Sequence, residues 1–294
     1  MDPISDFIAY LQHEKRYSIH TVQAYESDLE QFFLFLQSTF EVSDPAKVNH
    51  AQIRSWLAGL KESGVSARSM NRKISSLKSF FKYLLKMKIV DATPMSKVIS
   101  PKNSKRLPVF VNETNMDVLF TQVEFPDDYQ GHTERLILEL LYQTGMRRAE
   151  LLNLKLQDID YSLRSIKVLG KGNKERIIPM AVELAQLIET YAILRNQQDN
   201  IQTDHLLLLP DGKPLYPKYV YLTVKKYLSQ TTTLDKRSPH VLRHTFATHL
   251  LNKGADLNAV KELLGHANLT ATQVYTHNTI EKLKDIHKKA HPKA

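Results

Sequence analysis

The stretch from Pro94 to Pro108 most constrains what this chain can fold into. Pro94, Pro101 and Pro108 punctuate it, and no apolar period runs through Met95 to Arg106. Lys97, Lys102, Lys105 and Arg106 make it basic. Proline removes a backbone donor and pushes the residue before it toward extended backbone. The segment therefore reads as an extended, basic connection, and the chain on each side must bury its own core. The length of 294 residues suits two such units. The expected division is an N-terminal helical domain over 1–94, a linker over 95–108 and a second domain over 109–294.

Upstream of the linker the apolar residues follow a helical period. Ile4, Phe7, Ile8 and Leu11 form one stripe within Asp2 to Glu14. Ser18 can cap a second helix, His20 to Gln37, with Val22, Tyr25, Leu29, Phe32, Phe33 and Leu36 inward. Asn49 and Gln52 have the spacing of a capping box for a third helix that stops before Gly64. A fourth helix starts after Ser66 and buries Met70, Ile74, Leu77, Phe80, Phe81 and Leu84. Arg68, Arg72, Lys73, Lys78 and Lys82 are expected on its other face. These four helices predict a compact bundle.

Downstream the pattern is mixed. Helices are expected over Asn112 to Val123, Thr133 to Gln143, Ala181 to Asn196 and Tyr216 to Ser229. Thr144-Gly145 breaks the second of these, and Arg147 to Leu154 opens another helical turn. Three β-like runs, Leu156 to Ile159, Ser165 to Leu169 and Glu175 to Met180, lie between them. The last two flank Gly170-Lys171-Gly172-Asn173-Lys174, a turn sequence that suits a hairpin. The expected fold class is mainly α, with a small β-hairpin sheet in a mixed α/β second domain. Only nine glycines in the chain agree with a largely helical protein.

Composition narrows the chemistry. Absence of cysteine excludes disulfides and thiolate metal sites. A net charge of +9 points to a polyanionic partner. No apolar run approaches a membrane span, and the acidic first residues do not read as a secretion signal, so a cytoplasmic, membrane-free location is expected. A phosphate-binding loop and a GxGxxG turn are both missing from the sequence, and no HExxH pattern accompanies the histidines.

The residues that carry chemistry converge on the C-terminal third. Ser238-Pro239 reads as N-cap and first helical residue, which puts His240 in an opening turn where free backbone N–H groups favour an anion. Arg243, three residues on, shares its face. Gly265 reads as the stop of a short helix, Leu257 to Leu264, with His266 just past it and Tyr275 nine residues further. Arg147 follows the Thr-Gly break, and Lys171 lies at the hairpin tip. Taken singly, each has an ordinary reading. Arg147 can form a surface ion pair with Glu150, Lys171 can be a solvated turn residue, and Tyr275 is one of thirteen tyrosines. His244, His249 and His277 are assigned to structure. Taken together, two arginines, two histidines, a lysine and a tyrosine match what metal-free phosphodiester cleavage needs. A phenol with a pKa near ~10 reacts only in an electropositive site, the transition state needs cations, and the leaving oxygen needs an acid.

At this point the sequence resembles the tyrosine recombinase family over nearly its whole length. The resemblance rests on TGMRRAELLNL (Thr144 to Leu154), GKGNKERIIPM (Gly170 to Met180), HVLRHTFATHLL (His240 to Leu251) and LGHANLTATQVYTH (Leu264 to His277). The N-terminal YSIHTVQAYESDLEQFFLFL is similar to the core-binding domain of the Xer subgroup. By this resemblance the chain is expected to open directly on that domain, without an arm-type domain before it.

The resemblance implies that Arg147, His240, Arg243 and His266 bind the scissile phosphate, that Lys171 protonates the leaving 5′ oxygen and that Tyr275 is the nucleophile. It implies no metal or nucleotide cofactor, duplex DNA with a specific recombination site as substrate, and a tetramer on two sites, homomeric or shared with a paralogous recombinase. A DNA translocase is a further possible partner, and the tail after Tyr275 is expected to dock on a neighbouring protomer. Glu26, Ser27 and Asn258 depart from basic residues common in relatives, and the acidic 124–132 stretch is less family-like. Mobile-element integration, type IB topoisomerase-like relaxation and non-catalytic DNA binding are the competing readings.

Overall fold

The computed structural model describes residues 2–102, 109–170, 174–265 and 289–292. The chain divides into two compact units, Met1–Arg106 and Leu107–Ala294.

The first unit is helical. Helix α1, Pro3–Ala9, is capped by Asp2 and runs on into a π turn, Tyr10–Glu14. Helix α2, Ile19–Phe40, starts on the Ser18 cap. Helix α3, His50–Glu62, carries the full Asn49–Gln52 capping box, and helix α4, Ala67–Lys86, starts on Ser66. Helices α1 and α4 both pack on α2, and α3 lies against α2. The core holds Phe7, Leu29, Phe32, Leu36, Trp56, Phe80 and Leu84. Aromatic rings knit it together, with Phe32 and Trp56 5.0 Å apart and Phe7 and Phe80 5.4 Å apart.

Two features depart from the sequence reading. Lys73, expected on the solvated face of α4, is buried. Its ammonium donates to Asp28 Oδ1 at 3.0 Å and to Gln31, while Arg72 and Ser76 donate to Asp28 Oδ2 at 2.6 and 2.9 Å. Asp28, on the inner face of α2, has drawn the lysine inward, because a buried carboxylate requires charged or hydrogen-bonding partners. Met95 and Val98, within the stretch expected to be linker, are buried in this same core. Their two apolar side chains are too few to show a period.

The second unit surrounds a buried helix. Helix α5 is Glu113–Thr121, and α6 is Tyr129–Thr144, four residues longer at its start than the apolar run suggested because Asp128 caps it. Helix α7, Arg148–Leu152, follows. The run Leu156 to Ile159, expected as a strand, is mostly a 3₁₀ turn, and β1 is only Ile159–Asp160. Strands β2, Ser165–Leu169, and β3, Glu175–Pro179, complete a three-stranded antiparallel sheet in the order β1-β2-β3. The register of the hairpin runs from Ser165↔Pro179 to Leu169↔Glu175. Helices α8, Val182–Asn196, α9, Pro217–Thr231, α10, Pro239–Asn252, and α11, Leu257–Leu264, follow the sheet. Helix α6 packs against α7, α8, α9 and α10. Near the C-terminus, Ala290 and His291 are buried, His291 with its ring 4.9 Å from Tyr142 and 5.5 Å from Phe246. This part of the tail therefore packs on its own chain here.

Candidate active site

The site begins where α6 stops. Gly145 has φ +60°, and a Cβ on it would meet Phe246 Cδ1 at 2.4 Å. Only glycine reaches this backbone under such crowding. Two residues on, Arg147 stands extended at the N-cap of α7. Glu150 accepts from the Arg147 backbone N–H at 2.7 Å and from its Nη1 at 2.6 Å. The ion pair read from sequence thus forms, but away from the surface: the Glu150 side chain is 4% exposed against 33% for Arg147.

A second guanidinium reaches the same carboxylate. Arg176, on β3, donates through Nη1 to Glu150 Oε1 at 2.9 Å and through Nη2 to Oε2 at 2.7 Å, a forked pair. Burial pushes the Glu150 carboxyl up, but the bonds from Arg176 and Arg147 outweigh it and hold it below the usual range.

Arg243 comes from α10. Its Nη1 donates to Gly145 O and its Nη2 to Leu264 O, both at 2.6 Å. The guanidinium thereby joins the C-terminal ends of α6 and α11. At the end of α11, three consecutive carbonyls each accept from a different arginine: Leu263 from Arg176 at 2.8 Å, Leu264 from Arg243, and Gly265 from Arg147 at 3.0 Å. These carbonyls lack helical partners and lie at the negative end of the helix dipole, which favours cations. Gly265 has φ +64°, and an added Cβ would approach Arg176 Cδ at 3.1 Å, so glycine both stops α11 and admits the arginine.

Among the described residues, three guanidiniums and one carboxylate make up this cluster, leaving a positive excess. Burial, and then the neighbouring Arg147, pull Arg243 down to about 10, with Arg176 adding to the effect and Glu150 opposing it. It remains charged at neutral pH. Such a cluster can bind an anion, and the fork geometry of arginine matches phosphate oxygens.

The structure therefore brings Arg147 and Arg243 together on the end of α11. His240 lies exposed in the first turn of α10, behind Ser238, which takes the N-cap backbone position without a capping side-chain bond. Lys171, His266 and Tyr275 lie outside the described residues, as does the helical run expected around Tyr275. Gly170 and Lys174, which border the hairpin turn, are joined by a 2.8 Å backbone bond. His249 is structural. Its Nε2 donates to Val111 O at 2.9 Å, so its Nδ1 accepts from Tyr142 Oη at 3.0 Å. Among the described residues no group of three His, Asp or Glu could hold a metal ion.

Sequence reasoning missed Arg176 and read Glu150 only as a surface partner. A signal was present. Arg176 and Ile178 point to the same face of β3, and an arginine on a core-facing position needs an acid.

Comparison with known proteins decides the family. Residues 110–282 match the phage integrase family, and residues 4–88 match the phage integrase N-terminal SAM-like domain. The chain belongs to the phage integrase family of tyrosine recombinases. Tyrosine recombinase XerC of Chlorobaculum tepidum is 36% identical, with 99% of this chain and 94% of the relative covered. Tyrosine recombinase XerC of Staphylococcus carnosus is 39% identical, with 98% and 96% covered. In fold, the chain is similar to the XerH site-specific recombinase bound to palindromic difH substrate in a post-cleavage complex. The TM-score is 0.72 at 23% identity, with 96% of this chain and 83% of that chain covered. This tyrosine recombinase is a Xer-like, site-specific recombinase enzyme.

Proposed function

We propose that this recombinase cuts and rejoins duplex DNA at a specific site through a 3′-phosphotyrosine on Tyr275. The Tyr275 phenol gives its proton to solvent as its oxygen attacks phosphorus. The bond from phosphorus to the 5′ oxygen breaks, and Lys171 supplies the proton that leaves a free 5′-hydroxyl. Arg147, Arg243, His240 and His266 hold the phosphate and balance its developing charge. Attack by a second 5′-hydroxyl reverses the step on a new partner strand. The phosphoryl bond is conserved throughout, so neither nucleotide nor metal is required.

The observation that supports this reading is the seating of Arg147 and Arg243 on Gly265 O and Leu264 O, directly before His266. Two residues 96 positions apart are held on one helix end, where the third phosphate ligand follows. The DNA-bound XerH and Tn1549 integrase structures share this fold, which supports duplex DNA as partner. The proposed assembly is a tetramer on two sites, in the cytoplasm, resolving chromosome or plasmid dimers. The proposed division of labour gives DNA binding to 1–94, the crossing connection to 95–108 and the chemistry to 109–294.

The test is a nicked suicide duplex carrying the site found by footprinting host genomic DNA. Wild type should trap a covalent adduct and Tyr275→Phe should trap none. An adduct with Tyr275→Phe would place the nucleophile elsewhere, and relaxation of supercoiled plasmid lacking the site would favour a topoisomerase-like enzyme.

A further inference from the structure

Arg176 is absent from the set of phosphate ligands just proposed. Its guanidinium is nearly closed off from solvent, with its side chain 5% exposed, so it is not placed to touch a substrate. Its three bonds to described residues are all internal: two to Glu150 and one to Leu263 O. It nevertheless sits at the centre of the charge balance. Glu150 is shared by two guanidiniums, Arg147 and Arg176. One carboxylate against two arginines leaves one net positive charge, on the member of the trio that faces outward. Without Arg176, the Arg147–Glu150 couple would be neutral, and the carboxylate would remain buried beside the arginine meant for the phosphate.

We propose that Arg176 is a positioning residue for the cleavage reaction, acting by neutralising Glu150 so that Arg147 keeps its charge for the scissile phosphate. Its Nε bond to Leu263 O has a second consequence. The same guanidinium couples strand β3, which borders the Lys171 turn, to the end of α11, which leads into His266. Arg147, through the shared Glu150, strand β3 and the end of α11 thus meet at one side chain. Gly265 is part of this device, since the arginine stem occupies the space where a Cβ would point. The inference rests on the reading of Arg147 as a phosphate ligand.

The experiment measures single-turnover adduct formation at saturating protein on the nicked duplex described above, with duplex affinity by gel shift and thermal stability alongside. Arg176→Met should slow adduct formation by roughly ten- to a hundredfold, while affinity for the duplex stays within about threefold, because most phosphate contacts are elsewhere. The decisive variant is Glu150→Gln combined with Arg176→Met. Removing the carboxylate charge as well should recover about tenfold of the lost rate, since the charge opposing Arg147 is gone. A merely structural Arg176 would show no such rescue.

A single variant as fast as wild type, or a double variant no faster than the single, overturns the proposal. If Arg176→Met does not fold because it strands a buried carboxylate, the double variant and Arg176→Lys carry the test. Both keep the local charge balanced and should stay within about tenfold of wild type, and a loss of about a hundredfold in either overturns the idea. A wild type that forms no adduct removes the phosphotyrosine chemistry itself, and this inference with it.

Discussion

The guanidinium of Arg243 donates to the last helical carbonyl of α11, Leu264 O, at 2.6 Å, and its other arm reaches Gly145 O at the same distance. One side chain thus clasps two helix ends that lie far apart in sequence. Lysine carries the charge but cannot make two divergent bonds from a planar fork. Arg243→Lys should therefore slow adduct formation on the suicide duplex by roughly 10²–10³-fold. A gel shift on the same duplex should show affinity nearly unchanged. Equal cleavage by the lysine variant would mean that the fork is irrelevant to the reaction.

The two glycines of the site should differ in how they fail. Gly145→Ala combines left-handed backbone with a Cβ 2.4 Å from Phe246 Cδ1 and 2.8 Å from its Cε1. Urea unfolding should show a loss of roughly 3 kcal/mol from strain and overpacking together. Gly265→Ala meets the Arg176 stem at 3.1 Å, a softer contact. Its loss should be about 1–2 kcal/mol from backbone strain, with a fall in adduct rate larger than that stability change accounts for.

In the first unit, Asp28 holds Lys73 out of water. Asp28→Ala should destabilise the protein by about 3–5 kcal/mol, because it strands a buried ammonium. Asp28→Leu combined with Lys73→Met should recover most of that loss in denaturant unfolding. A double variant as unstable as the single would show that the pair matters through more than its charges.

His249 sets a pH dependence. Burial, opposed by Glu113 and by its bond to Val111 O, lowers its pKa below the ordinary 6.5. The unfolded chain therefore takes up its proton at higher pH than the folded one. The contribution of His249 to stability is fully present above about pH 6.5 and declines as pH falls toward the folded value. Unfolding midpoints from pH 8 to pH 5 should fall for wild type and fall less steeply for His249→Gln. Parallel curves would refute the assignment.

Much of the fold was legible because caps and apolar periods are local. Ser18, Asn49 and Ser66 each accept the backbone bond their position predicts. The hairpin register follows from two alternating runs around one turn. The misreadings have local causes too. The short run Leu156 to Ile159 resembled a strand until its first three residues closed a 3₁₀ turn. Lys73 looked solvated because its partner Asp28 lies 45 residues away on another helix.

By itself, the sequence determined the helices, the hairpin, the family and the six candidate residues, because spacing and motif are properties of neighbouring positions. Only the tertiary structure decided that Glu150 is buried, that Arg176 shares it with Arg147, and that three arginines grip successive carbonyls of α11. Whether an arginine faces water or a carboxylate depends on which distant elements pack around it, and burial turns a weak surface ion pair into a strong constraint on charge and geometry.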